Sequence, residues 1–401
     1  MAKKIRKIVL AYSGGLDTSV ILPWLKDKYG CEVIAFAADV GQGPGELNGI
    51  EKKALASGAS KCIVADLRRE FAEEYCFKML QAGAVYEELY LLGTSIARPL
   101  IAKAQVQCAL AEKADAVAHG STGKGNDQIR FELTYMALAP ELAIISPWKD
   151  SDFELTSREA AIEYAKARGI PIQQTARKIY SRDRNLWHIS HEGADLEDPA
   201  NEPRDDIWMM SVPVSKAPGK PQYVTIDFQA GRPVAVNGRK MPGHLLVEKL
   251  NSFGGRHAVG QVNLVENRLV GIKSRGAYET PGGTILHEAH RALESITLDR
   301  DTAHFKQQVG LKYAELVYYG QWFCPLRESL DAFVQATQRN VTGRVRVKLF
   351  KGQATVASVT SPKSLYSTSL ASFTMGQDYS PADAAGFIRL FGLQMRGRGK
   401  A

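Results

Sequence analysis

The chain has 401 residues, 45% apolar and 23% charged, which is ordinary globular usage. Its length exceeds the range of about 100 to 200 residues usual for one domain, so two domains plus an appendage are expected. No segment reaches the roughly 20 uninterrupted apolar residues that a membrane span needs, and the basic start Met1 to Arg6 leads into an apolar run broken at Ser13-Gly14-Gly15 without a cleavage pattern, so a soluble, cytoplasmic protein with no membrane partner is expected. A net charge of +8 favours anionic partners, nucleotides as well as RNA, and by itself separates neither. Cys31, Cys62, Cys76, Cys108 and Cys324 form no CxxC and have no His at ligand spacing, so neither zinc nor a redox pair is supported.

Lys7 to Ser13, Val33 to Val40, Lys61 to Leu67, Ala116 to Thr122 and Ala143 to Trp148 read as short strands. Between them Ala97 to Glu112 and Asp127 to Ala139 carry apolar residues at helical spacing, so a parallel sheet covered on both faces is expected. After about residue 172 the pattern turns Gly- and Pro-rich, with hairpin signals such as Val234 to Val236 before Asn237-Gly238, and a second, α+β domain is expected. There Gly283 to Leu298 reads as a helix, and Arg344 to Leu349 alternates strictly, as a half-buried strand with a cationic outer face does. From Ser380-Pro381-Ala382-Asp383, an N-cap with Pro following and an acid in the first turn, a terminal helix is expected. Its apolar residues Ala384, Phe387, Ile388, Leu390, Phe391 and Leu393 must be buried, against a neighbouring subunit of a homotetramer or against the chain's own fold.

The first strand ends in Ser13-Gly14-Gly15-Leu16-Asp17-Thr18-Ser19 and helical sequence follows at once. Glycines let backbone N–H groups approach phosphate oxygens, the helix N-terminus adds partial positive charge, and three hydroxyls add donors. The loop lacks the Gly-Lys-Ser/Thr ending of the Walker type. It resembles the pyrophosphate-binding loop of the ATP pyrophosphatases, which cleave between the α and β phosphates. Pro23, beyond the first turn, removes a backbone donor and predicts a kink.

The second strand runs into Ala37-Ala38-Asp39-Val40-Gly41-Gln42-Gly43, either an adenine or ribose contact through the backbone at Ala38 or a plain turn. The fourth runs into His119-Gly120-Ser121-Thr122-Gly123-Lys124-Gly125-Asn126-Asp127-Gln128-Ile129-Arg130, a second glycine loop opening a helix. Asn126, Asp127 and Arg130 share one helix surface, where they meet the ammonium and carboxylate of one small molecule or pair with each other at the surface.

AYSGGLDTS, ADVGQG, GSTGKGNDQIRFE, SRDRNLWHIS and GIKSRGAYETPGGT together resemble argininosuccinate synthases over nearly the whole chain. That resemblance implies an α/β fold: a doubly wound, Rossmann-like ATP pyrophosphatase domain at residues 1–171, an α+β synthetase domain at 172–378 and an oligomerisation helix at 379–401. It implies a ligase that joins citrulline to aspartate through a citrullyl-adenylate, releasing AMP and pyrophosphate. It assigns Ala11, Tyr12, Ser13, Gly14, Gly15, Leu16, Asp17, Thr18, Ser19, Ala38 and Gly120 to ATP. Citrulline is assigned Tyr90, Ser95, Asn126, Arg130, Ser181, Ser190, Glu266 and Tyr278, and aspartate Thr122, Asn126 and Asp127. Asp17, Asp127 and Arg130 are the catalytic candidates, with Mg²⁺ assisting through Asp17. A tRNA-thiolating or lysidine-forming ATP pyrophosphatase also uses an SGGxD loop, but thiolation usually needs paired cysteines. A non-catalytic ATP- or RNA-binding module is disfavoured by two glycine loops, and no nucleic-acid partner is expected.

Overall fold

The computed structural model describes residues 4–43, 45–123, 125–155, 157–171, 180–372 and 379–398. Five parallel strands, β1 (Lys7–Ala11), β2 (Glu32–Asp39), β3 (Lys61–Asp66), β4 (Ala116–Ala118) and β5 (Ala143–Ile145), form a sheet of order β3-β2-β1-β4-β5. All five expected strands are present, each ending slightly before its expected point. Side chains alternate across β1: Ile8 and Leu10 join a core with Ile21, Leu22 and Leu25, while Val9 joins another with Val106, Phe131 and Tyr135. Hence both faces are covered, by the Leu16–Tyr29 helix on one side and the Gly93–Ala111 and Asp127–Leu138 helices on the other. The Leu16–Tyr29 helix runs through Pro23 to an αL C-cap at Gly30.

Because β1 lies between β2 and β4, the chain leaves it in one direction and returns on the other side, which opens a crevice beyond the carboxyl ends of β1 and β4. Gly120, after β4, closes against the first turn of the Leu16–Tyr29 helix so tightly that a Cβ there would lie 3.0 Å from Thr18 Cγ2. The two glycine loops therefore share one wall.

The remaining strands are β6 (Ser181–Arg184), β7 (Ile189–Glu192), β8 (Gln222–Gln229), β9 (Arg232–Val236), β10 (Arg239–Lys240), β11 (Gln261–Asn267), β12 (Lys273–Glu279), β13 (Gly343–Phe350) and β14 (Gln353–Thr360). They build two antiparallel sheets, of order β10-β9-β8-β13-β14 and β11-β12-β7-β6. The Asn237-Gly238 hairpin forms with both residues at positive φ, 51° and 77°, as a type I′ turn requires. In β13, Val345, Val347 and Leu349 are fully buried against Ile285, Leu286 and Leu293 of the Pro281–Thr297 helix, about 1.5 to 3 kcal/mol of burial each. On the opposite face Arg344 pairs with Asp227 and Arg346 lies over the Tyr223 ring.

The largest core crosses the 171/172 division. Phe71, Tyr75, Phe77 and Leu80, early in the chain, pack with Leu246, Val247, Tyr313 and Val317, so the two regions meet through apolar contact. The terminal helix, Pro381–Phe391, has Pro at its first turn and leaves Phe387, Leu390 and Phe391 at 64, 73 and 77% exposure on the single chain.

Candidate active site

After β1, Gly14 takes φ 73° and Gly15 caps the Leu16–Tyr29 helix with no side chain, so the first-turn N–H groups keep no capping side-chain acceptor. The hydroxyls brace the turn: Ser13 Oγ lies 3.2 Å from Thr18 Oγ1, and Tyr12 OH lies 3.1 Å from Ser19 Oγ. Ser19 is fully buried, so it supports the loop from behind. Leu16, half-buried, starts the helix, and Asp17 is exposed in its first turn. Partial desolvation of its carboxylate raises the Asp17 pKa, against the attraction of Arg158. Ala11 closes β1 and Ala38 is the last residue but one of β2; the Ala38 carbonyl accepts from Gln42 Nε2 at 2.8 Å, and Val40 N–H donates to Gln42 Oε1 at 2.8 Å.

The second loop is pinned by Gln128, whose Nε2 donates to the carbonyls of Gly123 (2.6 Å) and Gly125 (3.1 Å). His119 accepts at Nδ1 from the Ser121 N–H (3.2 Å), which leaves Nε2 to donate to Glu132 Oε1 (3.0 Å). Thr122 is exposed; Asn126 and Arg130 are buried at the start of the Asp127–Leu138 helix. Asp127 Oδ1 accepts from Arg130 Nη1 at 2.9 Å, and its Oδ2 accepts from Arg98 Nε at 2.8 Å. Although burial alone would raise it, the two guanidinium groups hold the Asp127 carboxyl down at about 2. Arg98 reaches on to Asp183 Oδ2 at 2.8 Å on β6, tying the two regions together.

The opposite wall is one face of the β11-β12-β7-β6 sheet. Asp183 pairs with Ser190, Ser190 with Tyr278, and Ser181 with Glu192. Glu266 pairs with Ser274, four residues from Tyr278 on β12. Side-chain direction alternates along a strand, so Ser181, Asp183, Ser190, Glu192, Glu266 and Tyr278 share that face. Tyr278 OH donates to Glu266 Oε1 at 3.0 Å, and the Tyr278 ring lies 5.0 Å from both Tyr90 and His188. Tyr90 OH accepts from the Thr94 N–H (3.1 Å) and the Ser95 N–H (3.4 Å), capping the Gly93–Ala111 helix while keeping its own proton to donate; Ser95 Oγ also lies 3.4 Å away. Ser190 Oγ likewise accepts from the Asp183 N–H at 3.2 Å. Burial raises the Glu266 pKa, opposed by Arg130, and Glu266 Oε2, Tyr318 OH and His188 Nε2 are buried with no hydrogen-bond partner among the described residues. Buried polar atoms without partners inside a native fold point to a polar ligand.

Residues 7–171 match the family model for the arginosuccinate synthase N-terminal HUP domain, and residues 180–397 match that for the arginosuccinate synthase C-terminal domain. The chain belongs to the argininosuccinate synthase family. It is 57% identical to the argininosuccinate synthase of Roseiflexus sp. over 99% of this chain and 97% of that one. Identity to the Carboxydothermus hydrogenoformans argininosuccinate synthase is 60%, over 98% and 97% of the two chains. The chloroplastic argininosuccinate synthase of Arabidopsis thaliana is 57% identical over 98% of this chain and 79% of its own length. The protein is accordingly an ATP-dependent ligase that condenses citrulline with aspartate in arginine biosynthesis. Among the described residues no helix is long and apolar enough to cross a membrane.

The site residues named from the sequence lie at the β1 turn, at the β2 and β4 ends with the helix that follows β4, on the facing sheet, and, for Tyr90 and Ser95, at the start of the Gly93–Ala111 helix. Sequence reading missed Arg98, Asp183, Glu192 and His188. Arg98 had one available signal, a lone cation in the apolar run Ile96-Ala97-Arg98-Pro99-Leu100. The SRDRNLWHIS segment also docks the regions: Asn185 Nδ2 donates to the Gly93 carbonyl at 2.9 Å and Trp187 Nε1 to the Leu91 carbonyl at 3.0 Å.

Proposed function

We propose that ATP lies along the β1 and β4 loops, citrulline along the sheet face bearing Ser181, Ser190, Glu266 and Tyr278, and aspartate at Thr122, Asn126 and Asp127. The observation that carries this reading is the buried Glu266 Oε2, a carboxylate oxygen with no hydrogen-bond partner among the described residues, on a wall of hydroxyl donors. It suits the ammonium of an amino acid. Tyr90, Ser95, Ser190 and Arg130 supply donors for the rest of that molecule, and Asn126 stands between the two amino-acid positions, with its Oδ1 accepting from the Leu269 N–H at 3.0 Å.

A ureido carbon resists amines because two nitrogens stabilise its carbonyl and its oxygen leaves poorly. Transfer of AMP to that oxygen removes both obstacles. The ureido oxygen attacks the α-phosphorus, and the uncapped N–H groups of the first loop stabilise the departing pyrophosphate. Among the described residues no cluster of three His, Cys, Asp or Glu could hold a metal alone, and Mg²⁺ commonly takes one carboxylate plus substrate phosphates, which Asp17 at the mouth of the loop fits. Mg²⁺ there would neutralise phosphate charge. The facing sheet shields the adenylate from water until the aspartate amine arrives.

We assign nucleotide handling to residues 1–171, the citrulline wall to 172–378 and assembly to 379–401, with a homotetramer in the cytoplasm as the working form. The support for assembly is the run of exposed apolar residues on the terminal helix, a contiguous patch of the kind that marks a protein interface. The test of the substrate placement is Glu266→Gln, assayed by citrulline-dependent exchange of labelled pyrophosphate into ATP. The citrulline concentration for half-maximal exchange should rise at least about tenfold, the loss of one charge-assisted hydrogen bond of about 1.5 kcal/mol, while ATP affinity holds. Unchanged citrulline dependence would overturn the placement.

A further inference from the structure

The condensation needs a proton acceptor, because an aspartate ammonium carries no lone pair. Such a group must stand between the position assigned to aspartate and the wall assigned to citrulline, and it must be able to take a proton there. Asp127 fails the second condition, since both its oxygens accept from guanidinium groups. Asp183, on the edge strand and open to water at 44% exposure, is tied to Asp127 through the one Arg98 guanidinium they share. Glu266 is buried at the far strand behind the Tyr278 hydroxyl. Glu192 meets both conditions. It lies two residues along β7 from Ser190 and on the same face, so it borders the citrulline wall, and it pairs across to Ser181 on β6, next to Asp183 and so to the Arg98–Asp127 pair. Its side chain is 28% exposed, and the described ion pair it makes is from Oε2 to Arg268 Nη2, at 2.5 Å.

We propose that Glu192 is the general base that takes the proton from the aspartate amine as that amine attacks the activated ureido carbon. This rests on the substrate placement proposed above. One ammonium proton passes to the Glu192 carboxylate and frees the nitrogen lone pair. The lone pair forms the carbon–nitrogen bond, the carbon–oxygen bond breaks, and its electron pair leaves on the oxygen of AMP. The second proton that the nitrogen sheds on joining the guanidinium goes to the departing AMP phosphate, whose second ionisation lies near about 6.

The charges around Glu192 suit the role. Burial pushes its carboxyl up to about 7, with Arg268 opposing and Asp183 on β6, Glu266 on β11 and Asp127 on the facing helix adding to the rise. A base whose proton affinity lies near working pH is both available and strong enough. Because the carboxylate is the active form, condensation should rise with pH through about 7 and then level.

The experiment uses the full chain and two assays across the neutral range: pyrophosphate–ATP exchange with citrulline and no aspartate, and argininosuccinate formation at saturating aspartate. Glu192→Gln should keep the exchange rate and lose condensation by about a hundredfold or more, within the usual range for a general base. Its residual condensation should climb steadily into alkali, as the amine loses its proton unaided, without the step near neutrality. Glu192→Asp should restore part of the rate and the step. Condensation at the wild-type rate with the step intact in Glu192→Gln would overturn the proposal. So would an equal loss in both assays by Glu192→Gln and Glu192→Asp, which marks a structural role. Absence of citrulline-dependent exchange in the unaltered protein would instead overturn the substrate placement.

Discussion

Arg98 Nη2 lies 2.8 Å from Asp127 Oδ2 and 2.8 Å from Asp183 Oδ2, so one guanidinium joins the helix of the second glycine loop to the edge strand of the facing sheet. Arg98→Leu should leave Asp127 with Arg130 alone. Breaking a largely buried ion pair costs about 3 kcal/mol. Asp127, held at about 2, contributes stability that is present above the ordinary carboxylate pKa and lost as pH falls through about 2. Much of that contribution should vanish in the variant, and urea titrations at neutral and acid pH will show it as a smaller difference between the two. Aspartate KM should rise as well.

Gly15→Val should block ATP without unfolding the chain. A Cβ at Gly15 lies 3.3 Å from Ser13 Oγ, and the larger branched side chain stands over the N–H groups that would face phosphate. Loss of two charge-assisted hydrogen bonds at about 1.5 kcal/mol each weakens binding about a hundredfold. Isothermal titration with ATP, beside an unchanged circular dichroism spectrum, checks this; wild-type affinity would remove the assignment.

How far this site was legible follows from which interactions are local. The β1 and β4 turns were, because a strand, a glycine pair and a helix start are contiguous in sequence and their physics depends on little else. Ser181, Ser190, Glu266 and Tyr278 were reached only through resemblance, since their common face depends on the pairing of Ser190 with Tyr278 across 88 positions of chain. Arg98 and Glu192 acquire their chemistry from partners on other elements, Asp127 and Arg268, which no window of sequence contains. The same limit hides that Phe71, Tyr75, Phe77 and Leu80, within residues 1–171, complete a core shared with the second region.

Gly276 leaves room for the Tyr278 ring: a Cβ there would lie 2.2 Å from Tyr278 Cε1. Gly276→Ala should displace that ring from Glu266 and from its contacts with Tyr90 and His188. Overpacking of this kind costs about 1 to 3 kcal/mol, visible as a lower Tm by calorimetry. Citrulline KM should rise while KM for ATP stays, and equal changes in both would argue against Tyr278 as a citrulline contact.

Removal of residues 379–401 should reduce the assembled mass. Phe387, Ile388, Leu390 and Phe391 lie exposed on the single chain, and association is the route by which such a face leaves water. Light scattering on the shortened chain should give a smaller species than the full-length protein. An unchanged mass would place the contacts elsewhere.

In the proposed mechanism the ureido oxygen of citrulline is itself the atom that AMP activates. With citrulline carrying heavy oxygen at the ureido position, each AMP formed during turnover should contain one labelled atom by mass spectrometry, because that oxygen leaves with the phosphate when the aspartate amine displaces it. AMP without the label would mean that water, and not citrulline, attacks ATP, and would contradict the account.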